Sequence, residues 1–533
     1  MTRAPAPTPR LRILAPLLLL LAVTGCSKRM AHESHAAPPV MIADAGAPMA
    51  VGQESYAYVA ENPFKRVADD ALSTFSIDVD TASYSNIRRF LEDGSLPPPD
   101  AVRIEEMINY FGYAYTPPTG AQPFAVQSEV AACPWNPQAR LVQIGIKGRE
   151  IAAAAVPPRN LVFLLDVSGS MMVAEKLPLL QRSLKLLVNE LRPVDSVAIV
   201  VYAGASGVVL PPTAGDQRET IITAIDGLEA GGSTNGGAGI ELAYALAQKS
   251  FRKDGINRVI LATDGDFNVG TTSQGALVRL IEEKREGGVF LSVFGFGTGN
   301  LKDSTMEQLA DKGNGNYAYI DSLMEARKVL VEQGGGTLVT IAKDVKIQVE
   351  FNPARVGAYR LIGYENCMLA HADFNDDRKD AGEIGAGHTI TALYELLPPG
   401  AEGAVADVDP LKYQKPTVTS AATSDELMQV KLRFKQPTSD TSELLSFPIG
   451  DQSRSITAAS VDLRFAAAVA MFGMKLRDSA HGHKFSFTDL RQLAAGSLGT
   501  DPNGYRRGML ALVDRAAQIK GERIAPIASV AAP

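Results

Sequence analysis

Cysteine is scarce in this chain of 533 residues, which contains only Cys26, Cys133 and Cys367. No CxxC pair and no Cys/His cluster with zinc-ligand spacing occurs, so a structural zinc site is not expected. Cys133 and Cys367 would not make a disulfide scaffold, because they supply one pair at most. They either form a single disulfide or are separate buried thiols.

The motifs of several enzyme classes are also missing. Without a GxxxxGK[ST] loop, nucleotide binding and hydrolysis are not expected. Without a GxSxG elbow, neither is a serine hydrolase. A haloacid-dehalogenase-type phosphatase needs a second Asp where this chain has Ser168. The histidines all lie outside the predicted α/β domain: His32, His35, His371, His388, His481 and His483. The chain is therefore predicted not to be an enzyme.

Basic residues are not concentrated in any block of the chain. Its 52 basic and 59 acidic residues give a formal charge of -7, and no basic patch is interleaved with aromatic residues. Nucleic acid is therefore not an expected partner. The length and the 46% hydrophobic content predict two or three domains, because single cores stop growing at roughly 250 to 300 residues.

Residues 1–26 are predicted to be a cleaved export signal. Arginines without any acid precede an apolar stretch, Ile13 to Val23, that is too short to span a bilayer stably. The segment Leu21 to Cys26 resembles the bacterial lipobox, which implies that Cys26 becomes the lipid-modified first residue. In that family, a non-acidic residue directly after the lipidated Cys, as Ser27 is here, is typical of proteins located at the outer membrane and not retained at the inner one. The resemblance implies a lipid-anchored protein of the bacterial cell envelope.

A tether and a small helical region follow the signal. Residues 27–55 are rich in Ala, Pro, Gly and Met without periodicity, which predicts a disordered tether with a reach of roughly 30 Å. Residues 56–120 are predicted to be helical, with one helix after Asp78 and Asp80 and a second capped by Asp100. Asp78 and Asp80 are interpreted as solvated acids at a helix N-terminus, and a second cation site is the alternative.

Apolar strands alternate with helical patterns over residues 158–335. The strands are predicted at Leu161–Leu165, Ser196–Tyr202, Arg258–Ala262, Val289–Phe296 and Tyr317–Ile320. Continuous apolar strands separated by helices predict a doubly wound α/β fold with a mostly parallel sheet. The binding crevice of such a sheet lies at the carboxyl ends of its strands.

Oxygen-bearing side chains lie at those strand ends. Asp166, Ser168 and Ser170 follow the first strand, and Asp264 follows the strand over 258–262. Between them, the glycine-rich loop 231–237 contains Thr234. Carboxylates and hydroxyls are the ligands that a hard divalent cation prefers. A capped strand-to-helix turn is the alternative for Asp166, Ser168 and Ser170 taken alone.

Together these stretches resemble the von Willebrand factor type A (VWA) domain. Its adhesion-site pattern is D-x-S-x-S, then a Thr, then an Asp, and the chain matches every position with Asp166, Ser168, Ser170, Thr234 and Asp264. The resemblance implies a Rossmann-like fold and a metal-ion-dependent adhesion site for Mg2+ or Mn2+. It also implies that the cation captures an Asp or Glu carboxylate of a protein partner. Asp266 and Asn268 match no ligand of the family.

The regions on both sides of this domain are predicted to be β-rich, then helical. Two strands over 121–157 and several over 336–450 are expected to form one flanking antiparallel structure. Residues 451–533 are predicted to be helical. More loosely, these flanks resemble the companion regions of a subfamily of bacterial lipoproteins. The acidic loop Asp373 to Asp380 fails the EF-hand pattern and is interpreted as solvated, with another type of calcium loop as the alternative. His481 and His483 are interpreted as part of a polar loop, with weak metal binding as the alternative.

Two functions fit these observations. The first is a lipid-anchored envelope protein whose VWA domain binds an acidic partner through a divalent cation. The alternative is a VWA subunit for metal-dependent assembly of an enzyme or chaperone-like complex, as the chelatase relatives of this domain suggest.

Overall fold

A computed structural model describes residues 54–120, 122–233, 236–265, 274–334, 338–379, 381–401, 403, 405, 409, 412–413, 418–452 and 454–525. The predicted export signal, the lipidated Cys26 and nearly all of the predicted tether lie outside the described residues, as do Thr234, Asp266 and Asn268. Within the described ranges, no helix has both the length and the apolar character needed to cross a bilayer.

The strands form three sheets. In chain order they are β1 Lys65–Arg66, β2 Leu72–Ser76, β3 Phe124–Ala132, β4 Arg140–Gly148, β5 Arg159–Asp166, β6 Ser196–Tyr202, β7 Ser206–Ala214, β8 Ile256–Thr263, β9 Phe290–Phe296, β10 Tyr317–Ile320, β11 Thr340–Phe351, β12 Ala358–Ile362, β13 Ile384–Gly385, β14 Thr389–Leu397, β15 Glu426–Lys435 and β16 Ser442–Gly450.

The helices cover the sheets or pack with one another. They are α1 Ala82–Glu92, α2 Ile104–Asn109, α3 Leu177–Asn189, α4 Arg218–Asp226, α5 Gly236–Lys249, α6 Gln274–Glu286, α7 Asp303–Lys312, α8 Leu323–Arg327, α9 Val461–Leu476, α10 Phe487–Ala495 and α11 Tyr505–Ile519. A π-helical segment, Lys328–Gln333, continues α8.

The central sheet has the order β10-β9-β8-β5-β6-β7 and is parallel except for β7. All residues of β5 and β8 are buried, because apolar cores lie on both faces. The predicted doubly wound α/β fold is thus confirmed. The strand β7 was not predicted, since Pro211 and Pro212 interrupt its pattern. Proline is tolerated there because β7 is an edge strand.

The strand order of the central sheet reverses beside β5. From β5 the chain adds β6 and β7 on one side, then crosses to β8, β9 and β10 on the other. The carboxyl ends of β5 and β8 are therefore neighbours at the switch point, where open α/β sheets form their binding crevice.

Two antiparallel sheets are built from chain segments on both sides of the central sheet. One has the order β1-β12-β14-β4-β3, and the other contains β13, β11, β15 and β16, with β2 paired to β11. Their facing apolar side chains form one core. The strand β11, within the predicted β-rich range 336–450, has a shift of register between Lys343 and Lys346.

The remaining helices form a fourth apolar cluster from α1, α2, α9, α10 and α11. Twelve of the sixteen residues of α9 are buried, as expected for a helix surrounded by others. The prediction that Asp100 caps the second helix is wrong. Asp100 lies in a 3-10 turn, Pro99–Ala101, and α2 begins at Ile104.

The prediction that Asp80 is solvated is also wrong. Its side chain is buried, and its Oδ1 accepts a hydrogen bond of 2.7 Å from the Tyr317 backbone N–H of β10. Burial, followed by the charge of Asp78, raises the pKa of Asp80 well above its usual range. The pattern at the start of α1 did not indicate that this end of the helix packs against the central sheet.

Candidate metal centre

Asp166 ends β5 between the two neighbouring strands of the sheet. Leu165 pairs with Ala262 of β8, and Asp166 pairs with Tyr202 of β6. The Asp166 carboxylate is fully buried, and its Oδ1 accepts a bond of 2.8 Å from the Ser168 backbone N–H. Its Oδ2 accepts from the Tyr202 hydroxyl at 3.2 Å and from the Thr263 hydroxyl at 3.3 Å. Hydroxyl groups at the ends of both neighbouring strands, β6 and β8, therefore hold the Asp166 carboxylate in place.

Ser168 and Ser170 bring their hydroxyls together in the turn that follows. Their Oγ atoms are 3.0 Å apart, with Ser168 buried and Ser170 exposed. Adjacent ligands of an octahedral Mg2+ lie about 3.0 Å apart, because Mg–O bonds are about 2.1 Å long. The spacing therefore suits two neighbouring ligands, while the exposure of Ser170 leaves the site open to solvent.

Asp264 lies just after β8 and is fully buried. Its Oδ2 accepts a bond of 2.7 Å from the Lys176 ammonium and one of 3.4 Å from the Asn300 amide. The chain turns sharply at Gly265, whose φ is +105° and where a Cβ would lie 2.5 Å from the Asn300 carbonyl oxygen. Glycine is thus required beside this predicted ligand.

The glycine-rich loop reaches the same edge of the sheet in its described part. The Gly231 N–H donates to the Val167 carbonyl at 2.8 Å, and the Gly169 N–H donates to the Gly232 carbonyl at 3.1 Å. Thr234 lies outside the described residues, so its predicted role as a ligand stays a prediction. Gly232 and Gly169 nevertheless join the segments that carry Thr234 and the two serines.

The site concentrates negative charge in a partly dehydrated place. Burial raises the pKa of Asp166 to about 6, hydrogen bonds from Ser168 oppose this shift, and the nearby charge of Asp264 adds to it. A divalent cation would compensate this cost, because it favours the ionised form of Asp166.

The side chains fit a hard divalent cation. Asp166, Ser168, Ser170 and Asp264 all present oxygen atoms at one sheet edge and would hold Mg2+ or Mn2+, with Thr234 as the predicted fifth contributor. When bound, the cation would supply a positive centre for an external anionic oxygen. The chain's own part is to orient the carboxylates, exclude water on the β5 and β8 sides, and leave the Ser170 side accessible.

Three residues of the site were not predicted from the sequence. Tyr202 and Thr263 orient Asp166, and Lys176 pairs with Asp264. Tyr202 and Thr263 end the strands beside β5, so a predicted strand order would have suggested them. Lys176 precedes α3 and is separated by 88 residues from its partner. We find no local signal for that pairing.

The other candidate sites show no comparable arrangement. Cys133 and Cys367 are free thiols, Cys133 buried and Cys367 partly buried. In the acidic loop, Asp376 pairs with Arg378. The His481 ring lies 5.9 Å from the Phe64 ring. Within the part of the chain that the structure describes, no group of three or more His, Cys, Asp or Glu side chains is placed to hold a metal ion.

Comparison with known families gives three matches between residues 50 and 519. The von Willebrand factor type A domain matches residues 160–333, a von Willebrand factor family matches residues 50–143, and the family described as "Uncharacterized protein YfbK, C-terminal" matches residues 336–519. The Uncharacterized protein YfbK of Escherichia coli is 48% identical over 473 residues, which cover 87% of this chain and 81% of that protein. This chain belongs to the YfbK family. The VWA resemblance is confirmed.

More distant relatives have lower sequence identity to this chain. Human inter-alpha-trypsin inhibitor heavy chain H4 is 27% identical over 161 residues, covering 29% of this chain and 17% of that protein. The solved structure of BatB from Bacteroides thetaiotaomicron, described as a conserved hypothetical protein, is 20% identical, covers 33% of this chain and 97% of that one, and has a TM-score of 0.29. A von Willebrand factor type A protein from Catenulispora acidiphila is 16% identical, covers 72% and 89%, and has a TM-score of 0.39.

Proposed function

We propose that this protein is a lipid-anchored binding protein of the bacterial cell envelope, located at the outer membrane. In this proposal its VWA domain uses Mg2+ or Mn2+ to capture an Asp or Glu side chain of a protein partner. The role is binding rather than catalysis.

One observation carries the proposal. Asp166 and Asp264 are both fully buried at the carboxyl ends of neighbouring strands, beside the two serine hydroxyls. Asp264 is paired with the Lys176 ammonium, whereas the hydrogen bonds to the buried Asp166 come from neutral groups, and burying such a carboxylate is costly without a cation. With a cation, the open Ser170 side could admit one further oxygen ligand, and a carboxylate is favoured because the centre is positive.

Metal-dependent co-purification tests this function. The full chain, carrying an affinity tag, is purified from detergent-solubilised envelope with Mg2+ and Mn2+ or with EDTA. We expect a partner that is retained with the cations and lost with EDTA, and lost also with Asp166→Ala, since the metal bridges the two proteins. Asp254→Ala is the matched control, because Asp254 is exposed and precedes β8 at the opposite end of that strand.

A partner retained equally in EDTA and by Asp166→Ala would refute cation-mediated capture. The identity of the retained protein also separates the two functions that the sequence allowed. Subunits of an enzyme or chaperone-like complex would favour the assembly role over capture of an envelope ligand.

The anchor has its own test. Cys26→Ser should abolish incorporation of labelled palmitate and move the protein from the membrane fraction to the soluble envelope fraction. Cys133→Ser serves as the control and should leave both measurements unchanged. Membrane association that survives Cys26→Ser would refute the lipid anchor.

A further inference from the structure

Lys176 is a charged residue buried within the candidate metal centre. It is 5% exposed, and its ammonium lies 2.7 Å from Oδ2 of Asp264, which is itself fully buried. A buried ion pair of this kind is not a general aid to stability, because removing both charges from water costs about as much as their attraction returns. Its position on a predicted metal ligand therefore calls for a functional explanation.

The path of the Lys176 side chain is built into the fold. The side chain crosses Gly297, where a Cβ would lie 2.2 Å from Cγ and 2.5 Å from Cε of the lysine. Gly297 has a φ of +69°, a conformation that favours glycine. The Tyr319 hydroxyl donates to the Gly297 carbonyl at 2.8 Å and holds this crossing point in place.

The backbone of Lys176 is held as well. Its N–H donates to the Val173 carbonyl at 3.0 Å, and its carbonyl accepts from the Leu180 N–H of α3 at 2.8 Å. Both ends of the side chain are thus restrained, one by the start of α3 and the other by Asp264. The ammonium is fixed at the metal centre and does not reach it by chance.

A charge count shows what this ammonium changes. Asp166 and Asp264 carry two negative charges, so a divalent cation alone would leave these groups neutral. With Lys176 included, the same groups carry one net negative charge before the cation binds and one net positive charge afterwards. That remaining charge matches a single carboxylate.

We propose that Lys176 sets the charge of the metal centre, lowering its affinity for the cation and raising the affinity of the loaded centre for a carboxylate. This inference rests on the proposed function and assigns a role to a residue outside the five predicted ligands. It makes capture of the partner's carboxylate the step that completes neutralisation. A centre that holds the cation but no carboxylate of the partner is then less stable than one that holds both.

A purely structural role makes the opposite prediction for metal affinity. If Lys176 only held Asp264 in place, its removal would disorder a ligand and weaken binding. If it sets the charge, its removal strengthens binding, because a nearby unit of positive charge is lost. A gain of affinity therefore cannot arise from structural damage.

The experiment is a calorimetric titration of the metal-free full chain with Mn2+. We expect Lys176→Met to bind Mn2+ roughly tenfold more tightly than the wild type, the order of effect of one neighbouring charge in a partly screened site. Lys176→Gln is a second variant that removes the charge but keeps a polar end, in case the Met variant does not fold. Lys185→Met is the matched control, because Lys185 lies on α3 and pairs with Asp226 away from the site.

A second measurement tests the carboxylate, with acetate as the probe. Water-proton relaxation of the Mn2+-loaded protein reports displacement of metal-bound water, and we expect acetate to act at roughly tenfold higher concentration in Lys176→Met than in the wild type. Equal or weaker Mn2+ binding by both folded Lys176 variants would overturn the inference, as would unchanged acetate binding. Wild-type protein that binds no Mn2+ would instead refute the proposed function itself.

Discussion

Arg103 provides a test of how the N-terminal segment is joined to the VWA domain. Its guanidinium donates to Oδ2 of Asp303 at 2.5 Å and to Oδ1 at 3.2 Å, and it also contacts Glu106. The side chains of Arg103 and Asp303 are only 3% and 2% exposed. The contact joins the residue that precedes α2 in the helical layer to the first residue of α7 in the central domain.

Replacing Arg103 with Met would leave the carboxylates of Asp303, Glu106 and Glu307 without this cation. After the change Asp303 keeps a bond of 2.9 Å from the Tyr317 hydroxyl, and Glu106 keeps one of 2.8 Å from the Ser83 N–H. Removing one partner of a buried pair costs about 3 to 5 kcal/mol. We therefore expect Arg103→Met to lower the free energy of unfolding by about that amount.

Urea unfolding monitored by far-UV circular dichroism measures this loss. The control is Arg355→Met, which breaks an ion pair of 2.7 Å with Asp425 whose side chains are 45% and 100% exposed. Exposed pairs contribute about 0 to 1 kcal/mol, so this variant should unfold nearly as the wild type does. The two pairs differ chiefly in burial.

Similar losses in the two variants would refute the argument from burial. A second check is Arg103→Met combined with Asp303→Asn. Because the double variant removes one of the stranded charges, it should recover part of the lost stability. If it were less stable than Arg103→Met alone, the cost would come from packing and not from unpaired charge.

Three further outcomes are expected. In the absence of metal, Asp166→Asn should unfold no more readily than the wild type. It should lose the stabilisation by Mn2+, which for the wild type is about 2.7 kcal/mol at a Mn2+ concentration of 100 times Kd. A thermal unfolding scan of Asp166→Asn that still responds to Mn2+ would contradict this. Burial raises the pKa of Glu105 from 4.5 to about 7, so between these pH values the folded state binds one proton more than the unfolded state, and stability falls as the pH rises. Glu105→Gln should therefore reduce the difference between the urea midpoints measured at about pH 5.5 and about pH 8. Gly315→Ala would place a Cβ 1.7 Å from the Leu291 carbonyl oxygen and should lower the free energy of unfolding in urea by at least about 1 to 3 kcal/mol. The control Gly508→Ala, whose Cβ would meet nothing within 4 Å, should not lower it.

Much of the central domain follows from local pattern. The strands β6 and β10 begin and end where the apolar runs predict. Continuous apolar strands between helices can be buried on both faces only in a parallel sheet, so the doubly wound fold was predictable too. The edge strands β7 and β16 were missed because partly exposed strands need no continuous apolar pattern.

The sequence by itself determined which residues could bind a cation and at which strand ends they lie, because ligand type and strand pattern are local properties. Only the tertiary structure decided that Tyr202 and Thr263 flank Asp166, that Asp80 is buried against β10, and that Lys176 meets Asp264. Those contacts depend on strand order and on the packing of segments far apart in the chain. The charge of the candidate metal centre is therefore a tertiary property, although its predicted ligands can be found in the sequence.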